Sequence, residues 1–343
     1  MKKQYQEYML EQLKAIMAID SPSGYTAQVQ QYMNEELTRL GYQPENPAKG
    51  GIRAHLGGKG EPIMLMAHVD TLGAMVDCVK PDGRLMVSRI GGLQACNTET
   101  MNVRVKTRFD GEYEGTLQIE NASAHVNLEL ANLKRDFTTN MEVVLDEDVK
   151  CPEDVAKLGI RPGDIVAVEP RFTITSKGYI KSRFLDDKAS AAVLLAFAKM
   201  VRDENIALKR SVWISFTVYE EVGHGACHGI PDGIVEMMSV DMGCVGETMT
   251  CTEKQVSICA KDAGGPYNYE CTTALLKAAI DNNINHAIDV YHAYTSDVDC
   301  ALKSGYDVKH CLIGPGVYAS HGYERTHIDG LSATFDLLSA YLL

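Results

Sequence analysis

Two histidines and several carboxylates stand where predicted strands end, and these side chains bind divalent metal ions through nitrogen and oxygen. The first of them, His68, closes the apolar run 63–67, which is typical of a strand buried on both faces. Asp70 follows two residues later, at a spacing that lets its carboxylate orient the imidazole. Open α/β sheets bind ligands at the carboxyl ends of their strands, so this position favours a function over a chance surface pair.

Two pairs of adjacent acidic residues follow later in the chain. Asp186 and Asp187 precede a strongly apolar helix, where aspartate is also an ordinary N-terminal cap. Glu220 and Glu221 follow the predicted strand 211–218, where a solvated acidic pair is the simple alternative. Neither pair by itself indicates a metal site, so the prediction depends on all the candidate ligands together.

Asp241 ends the predicted strand 236–241, and His321 lies in a polar loop before the last helix. Together the candidates supply two imidazoles and three carboxylates: His68, Asp186, Glu221, Asp241 and His321. One carboxylate can bridge two ions about 3.5–4 Å apart, and a ligand set without cysteine suits zinc, cobalt or manganese. Such a site also needs a general base, and Glu220, next to Glu221, is placed to serve.

The elements that must position these residues alternate between helices and strands. Apolar periodicity predicts a helix over 189–200 and a buried strand over 211–218. Earlier in the chain, short alternating segments separated by glycine and aspartate indicate a β-rich insert. We therefore expect an α/β domain of residues 1–72 and 167–343, with an inserted β-rich domain of residues 73–166.

The chain has 343 residues and a formal net charge of −13. This acidic balance, without a cluster of lysine and arginine, argues against binding to nucleic acid. No apolar run is long enough to span a bilayer, and the first residues lack the apolar segment of a signal peptide. The ten cysteines contain no CxxC pair, so we expect reduced thiols in a cytoplasmic protein that does not bind membranes.

These residues resemble the tetrahedral (TET-type) aminopeptidases, a family of the co-catalytic zinc exopeptidase clan that includes glutamyl and deblocking aminopeptidases. The resemblance extends from Ser21-Pro-Ser-Gly24 through the segment 67–73, Ala-His-Val-Asp-Thr-Leu-Gly, to the last helix. It implies a mixed-sheet zinc-exopeptidase catalytic domain with a barrel-like insert that serves oligomerisation. It also implies a homo-oligomer, from dimer to dodecamer, that removes N-terminal residues from peptide substrates.

The resemblance implies two divalent ions per chain, with zinc expected first and cobalt or manganese next. One ion would be held by His68 and Asp241. The other would be held by Glu221 and His321, and Asp186 would bridge both.

The resemblance also implies roles for residues that are not ligands. Asp70 would be the carboxylate behind His68, and Glu220 would be the general base that later protonates the leaving amine. Ser296 and Asp297 resemble a Thr-Asp segment that lines the site in this family.

A few positions depart from the family's pattern. Thr71 stands where an acidic residue is frequent, and Ser190 replaces a frequent glycine, although neither is an expected ligand. The family's last histidine usually follows an Arg-aromatic pair, and here both His321 and His327 are candidates. The distance to the chain's final residues favours His321.

The nearest alternative is a di-metal carboxypeptidase or amide deacylase of the same clan, which uses a similar ligand order. In those enzymes the additional domain falls between the fourth and fifth ligands, whereas here the longest gap separates His68 from Asp186. A catalytically inactive binding or scaffold homologue is a further alternative. Such a protein would lack a ligand or the base, and here every role has a candidate.

Overall fold

The computed structural model describes residues 1–109 and 111–343 and divides into two compact units. The first unit contains residues 1–71 and 171–343, and the second contains residues 72–170. Within the described residues, no helix has both the length and the apolar composition that crossing a membrane requires.

The helices of the first unit carry apolar residues at helical spacing, as the sequence pattern predicts. In chain order the helices are α1 Lys3–Met17, α2 Ala27–Arg39, α3 Pro152–Lys157, α4 Leu185–Asp203, α5 Tyr269–Asp281, α6 Asp297–Lys303 and α7 Ile328–Leu342. Only α3 belongs to the second unit. Every residue of α4 from Leu185 to Ala198 is buried, which is the position expected of a helix that is apolar on all sides.

The strands are short, and most are bounded by turns that contain glycine or aspartate. In chain order they are β1 Ile52–Gly57, β2 Ile63–His68, β3 Gly73–Val79, β4 Leu85–Ile90, β5 Asn102–Lys106, β6 Glu112–Ile119, β7 Met141–Leu145, β8 Ile165–Val168, β9 Thr173–Ile174, β10 Tyr179–Ser182, β11 Val212–Thr217, β12 Glu236–Val240, β13 Gly243–Val245, β14 Val256–Lys261, β15 His286–Val290, β16 Lys309–Tyr318 and β17 Glu324–His327.

The strands of the first unit form one mixed sheet in the order β1-β11-β2-β12-β16-β17-β10-β9. Three further strands extend it, because β13 and β14 pair with β16 and β15 pairs with β14. All six residues of β2 are buried, and β2 runs parallel to both β11 and β12. The carboxyl ends of these three strands therefore lie side by side at one edge of the sheet.

The strands of the second unit close into a barrel in the order β3-β4-β7-β6-β5-β8, with antiparallel pairing throughout. Closure leaves no unpaired strand edge, which a small sheet would otherwise expose. The mixed sheet with its helices and the closed barrel confirm the predicted fold class.

Aromatic side chains join three helices of the first unit. Phe197 of α4 is fully buried, and its ring centroid lies 6.3 Å from that of Phe335 in α7. The ring of Tyr5 in α1 stacks on that of Phe335, also with a centroid distance of 6.3 Å. Because the metal-binding candidates Asp186 and Asp187 lie at the start of α4, this packing also fixes their position.

We expect Phe197→Ala to lower the free energy of unfolding by about 3–5 kcal/mol, since it removes a buried ring and leaves a cavity between α4 and α7. Urea titration followed by circular dichroism measures the change. Phe197→Leu is the matched control and loses less, because it keeps most of the volume. Equal losses in the two variants would contradict this expectation, because the cost would then not depend on the volume of the cavity between α4 and α7.

Candidate metal centre

Predicted site residues lie at the carboxyl ends of the parallel strands β2, β11 and β12. His68 is the last residue of β2, and Asp241 directly follows β12. Beyond β11, Tyr219 adopts a left-handed conformation with φ 71° and ends the extended segment, so that Glu220 and Glu221 form a short turn. Side chains from three strand ends thus meet at the same edge of the sheet, where α/β proteins bind ligands.

Asp186 lies between two imidazoles at the start of α4. Its Oδ1 is 3.0 Å from Nε2 of His68, and its Oδ2 is 3.7 Å from Nε2 of His321. The same nitrogen of His321 is 3.7 Å from Oε2 of Glu221. The structure therefore brings together residues that stand more than a hundred positions apart in the chain.

A hydrogen bond at Nδ1 fixes the orientation of the His68 imidazole. Its Nδ1 donates to the backbone carbonyl oxygen of Asp70 at 3.0 Å, while the Asp70 carboxylate is 3.7 Å away. That fully buried carboxylate accepts hydrogen bonds from the Ser23 hydroxyl and, at 3.2 Å, from the backbone N–H of Glu220. Asp70 thus orients His68 through its backbone and ties the Glu220 turn to the end of β2.

Asp187 also belongs to the cluster, although the sequence analysis named only its neighbour Asp186 as a ligand. Two sets of three residues each bring ligand atoms within 4.8 Å of one another. They are His68 with Asp186 and Glu221, and His68 with Asp187 and Asp241. The adjacent pair of aspartates was the available signal, but an ordinary helix cap gives the same pattern.

Several carboxylate oxygens of the cluster are buried without a hydrogen-bond partner among the described residues. They are Oε1 of Glu221, both oxygens of Asp187 and Oδ1 of Asp297. A buried and unpaired carboxylate is costly, and coordination to a cation removes that cost. The residues present therefore fit divalent metal ions.

The pKa values of the cluster follow from burial and from crowding of like charges. Burial, with the charge of Asp186, raises the pKa of Glu221 well above its usual range and that of Asp241 to about 7. Burial also acts to raise the pKa of Asp186, but the hydrogen bond from His68 and the charge of His321 outweigh it and lower that pKa. Carboxylates this close ionise together only when positive charge is supplied.

The structure separates the two histidines that the sequence left as alternatives. His327 donates from Nε2 to the carbonyl oxygen of Lys177 at 2.8 Å. Its Nδ1 accepts from the backbone N–H of Asp329 at 3.0 Å and caps α7. Both ring nitrogens of His327 therefore serve the backbone, and His321 is the histidine that lies at the cluster.

Glu324 is a buried carboxylate that the sequence analysis missed. Its Oε2 accepts from the backbone N–H of Asp186 at 3.1 Å, and its Oε1 accepts from that of His321 at 3.0 Å. One side chain thus fixes two chain segments that contribute to the site. The only sequence signal is a glutamate three residues after His321.

Further hydrogen bonds fix the segments around the site. The Ser296 hydroxyl donates to Oδ2 of Asp241 at 2.6 Å, and the Thr217 hydroxyl donates to Asp297. The Lys49 ammonium donates to the carbonyl oxygens of His224 and, at 2.6 Å, of Gly225 in the segment that follows Glu221. Ser296 therefore bonds directly to the candidate ligand Asp241, whereas Lys49 had no recognisable signal in the sequence.

Comparison with known sequences assigns the family. A sequence profile described as M42 glutamyl aminopeptidase matches residues 50–337. A Bacillus subtilis (strain 168) protein named "Putative aminopeptidase YhfE" is 41% identical over 335 residues, 97% of this chain and 96% of that protein. A glutamyl aminopeptidase of Lactococcus lactis subsp. cremoris (strain MG1363) is 25% identical over 219 residues, 63% of this chain and 60% of that protein. The chain belongs to the M42 family and is a metal-dependent aminopeptidase, as the sequence predicted.

Solved structures show the same fold. The TET1 peptidase of Pyrococcus horikoshii matches with a TM-score of 0.85 and 22% identity, over 97% of this chain and 98% of that chain. An aminopeptidase of the archaeon Desulfurococcus kamchatkensis matches with a TM-score of 0.87 and 21% identity, over 98% of this chain and 95% of that chain. The expected TET-type architecture is confirmed.

We expect Glu324→Gln to weaken metal binding by about 10–100-fold, the usual effect of losing a residue that orients metal ligands. The amide can accept from only one of the two backbone N–H groups, so the Asp186 or the His321 segment loses its anchor. Competition with a chromophoric chelator measures the affinity.

Glu253→Gln is the matched control, since Glu253 pairs with Arg325 and not with the cluster. Metal affinity is expected to stay at the wild-type value in that variant. Unchanged affinity in Glu324→Gln as well would show that the two segments hold their positions without this carboxylate.

Proposed function

We propose that this chain releases amino acids one at a time from free peptide N-termini, with two divalent ions bound at the centre described above. His68 and Asp241 would hold one ion. Glu221 and His321 would hold the other, and Asp186 would bridge the two. The five residues proposed to hold the ions all belong to the first unit.

The observation that carries the proposal is the position of Asp186. Its two carboxylate oxygens face two different imidazoles, at 3.0 Å and 3.7 Å. A helix cap would direct its oxygens to backbone N–H groups of the first turn, whereas the described contacts of both Asp186 oxygens are with imidazole nitrogens. A bridging carboxylate would offer one oxygen to each ion, and two oxygens that face different imidazoles support that role for Asp186.

Glu220 is the proposed general base. When bound, the ions acidify the attacking water and polarise the scissile carbonyl. The Oε2 of Glu220 lies 3.6 Å from Nε2 of His68, so the carboxylate can take the proton of the water and give it to the leaving amine. The hydrogen bond from the Glu220 N–H to Asp70 keeps this base in place.

The metal, the assembly and the compartment are also proposed. We assign zinc first and cobalt or manganese next, because the cluster offers imidazole and carboxylate ligands without a cysteine. The Pyrococcus horikoshii relative assembles into a tetrahedron or a large octahedral shell. By similarity, this chain forms a homo-oligomer through the inserted domain of residues 73–166. The ten free thiols support a reducing compartment, the cytoplasm.

We expect Glu220→Gln to keep its metal and to lower kcat by at least about 10²-fold, since the amide cannot accept the proton of the attacking water. Steady-state rates on an aminoacyl peptide, together with metal analysis, give both quantities. Glu221→Gln is the contrasting variant and is expected to lose metal. Near-normal turnover in metal-loaded Glu220→Gln would assign the base to another residue.

We expect peptides with a free N-terminus to be hydrolysed and their N-acetylated counterparts to be poor substrates. Acetylation removes the positive charge that a carboxylate of the site would pair with, and an unpaired buried carboxylate is costly. The measurement is kcat/KM for matched free and acetylated peptides in the presence of zinc, cobalt or manganese. Faster cleavage of N-acetyl amino acids or of C-terminal residues would instead favour the deacylase or carboxypeptidase alternative.

A further inference from the structure

Glu220 lies in a loop of residues 218–224 that folds back on itself. The backbone N–H of His224 donates to the carbonyl oxygen of Tyr219 at 3.1 Å, and the N–H of Gly223 donates to that of Glu220 at 2.7 Å. The rings of Tyr219 and His224 stack, with centroids 5.0 Å apart. The loop is therefore a compact unit, and its position depends on how its two ends are attached.

One buried carboxylate, that of Asp297, contacts both ends of this loop. Before the loop, Thr217 ends β11, and its hydroxyl donates to Oδ2 of Asp297. After the loop, a β-carbon at Gly225 would lie 2.0 Å from Oδ1 of Asp297 and 3.1 Å from Cα of Glu220. No side chain fits in that space, so glycine is required for this close approach of the backbone to the carboxylate.

The surrounding structure fixes Asp297 independently of the loop. Asp297 is the first residue of α6, and it is 2% exposed. The preceding residue, Ser296, forms a capping box with Asp299. The next residue, Val298, donates from its backbone N–H to the Ser239 hydroxyl of β12 at 3.2 Å. A carboxylate held in this way is a rigid point to which a loop can be attached.

The two ends of the loop differ in how firmly the sheet holds them. Thr217 is paired with His68 of β2, whereas Gly225 lies outside the strands. Gly225 is held by its contact with Asp297 and by the Lys49 ammonium, which donates to its carbonyl oxygen at 2.6 Å. Loss of the Asp297 contact therefore loosens the Gly225 end and leaves the Thr217 end in place.

We propose that Asp297 is a positioning residue that joins the two ends of the loop 218–224 and thereby places Glu220 for its role as general base. The role of Glu220 rests on the proposed function, whereas the attachment of the loop does not. A displacement of about 1 Å in a catalytic group can lower a rate by about 10²-fold. Asp297 thus acts on the reaction through the loop and without contacting the substrate.

The test is Gly225→Ala, because the added methyl group forces the loop and the Asp297 carboxylate apart. Hydrogen exchange of the full chain, with and without zinc, is followed by mass spectrometry in peptides that cover residues 218–226. The hydrogen-bonded amides of Gly223 and His224 are expected to exchange at least about tenfold faster than in the wild type. The rest of the first unit is expected to exchange at its wild-type rate.

Gly246→Ala is the matched control, because a β-carbon at Gly246 would meet no atom within 4 Å. That variant is expected to keep the exchange rates and the kcat of the wild type.

A second pair of variants addresses the other contact of the carboxylate. Thr217→Val removes the hydroxyl that donates to Asp297 at nearly unchanged volume, whereas Thr217→Ser keeps a hydroxyl at this position. With zinc in excess, Thr217→Val is expected to lower kcat by about tenfold or more, with KM little changed. Thr217→Ser is expected to keep kcat within about twofold of the wild-type value.

Wild-type exchange of residues 218–226 in Gly225→Ala would overturn the inference, because the contact would then not restrain the loop. Faster exchange throughout the first unit would also overturn it, because the contact would then serve only the stability of the unit. Equal kcat in Thr217→Val and Thr217→Ser would do the same. If the exchange results held but the metal-loaded wild-type protein cleaved no free aminoacyl peptide, the attachment would stand and the proposed function would fail.

Discussion

Asp186 lies buried between two imidazoles, in a cluster where Glu221 and Asp241 add further negative charge. Ionised carboxylates do not stay buried close together unless cations neutralise their charge. The cluster leaves carboxylate oxygens unpaired and raises the pKa of Glu221 and Asp241, which is the electrostatic signature of a site built for ions that carry more than one positive charge. The arrangement of the first unit is explained by the need to hold these side chains close together.

Two features of the fold hold these side chains close together: adjacent strand ends, and side chains that hydrogen-bond to the loops that follow them. Parallel pairing of β2 with β11 and β12 places three strand ends together, and the start of the buried helix α4 supplies Asp186. Glu324 fastens the segment that carries His321, and Lys49 fastens the segment after Glu221. The same geometry suits the proposed base, because the backbone N–H of Glu220 donates to Asp70, next to the end of β2.

Much of this could be predicted from the sequence, and the parts that could not share a physical cause. His68 and Asp241 follow apolar runs that read as buried strands, so their common edge follows from the rules of parallel sheets. Glu324, by contrast, acts on backbone groups of Asp186, far away in the chain, and no local pattern records such a contact. The choice between His321 and His327 likewise depends on which carbonyl groups and N–H groups surround each ring.

In the proposed centre Asp186 joins two ions, and the metal content of the protein tests this most directly. The wild-type chain, equilibrated with zinc and freed of excess metal, is expected to contain about two ions per chain by elemental analysis. Asp186→Ala is expected to lose both ions, whereas His327→Ala is expected to keep both, because both ring nitrogens of His327 bond to backbone groups. A single ion in the wild-type chain, or two ions retained in Asp186→Ala, would contradict the account.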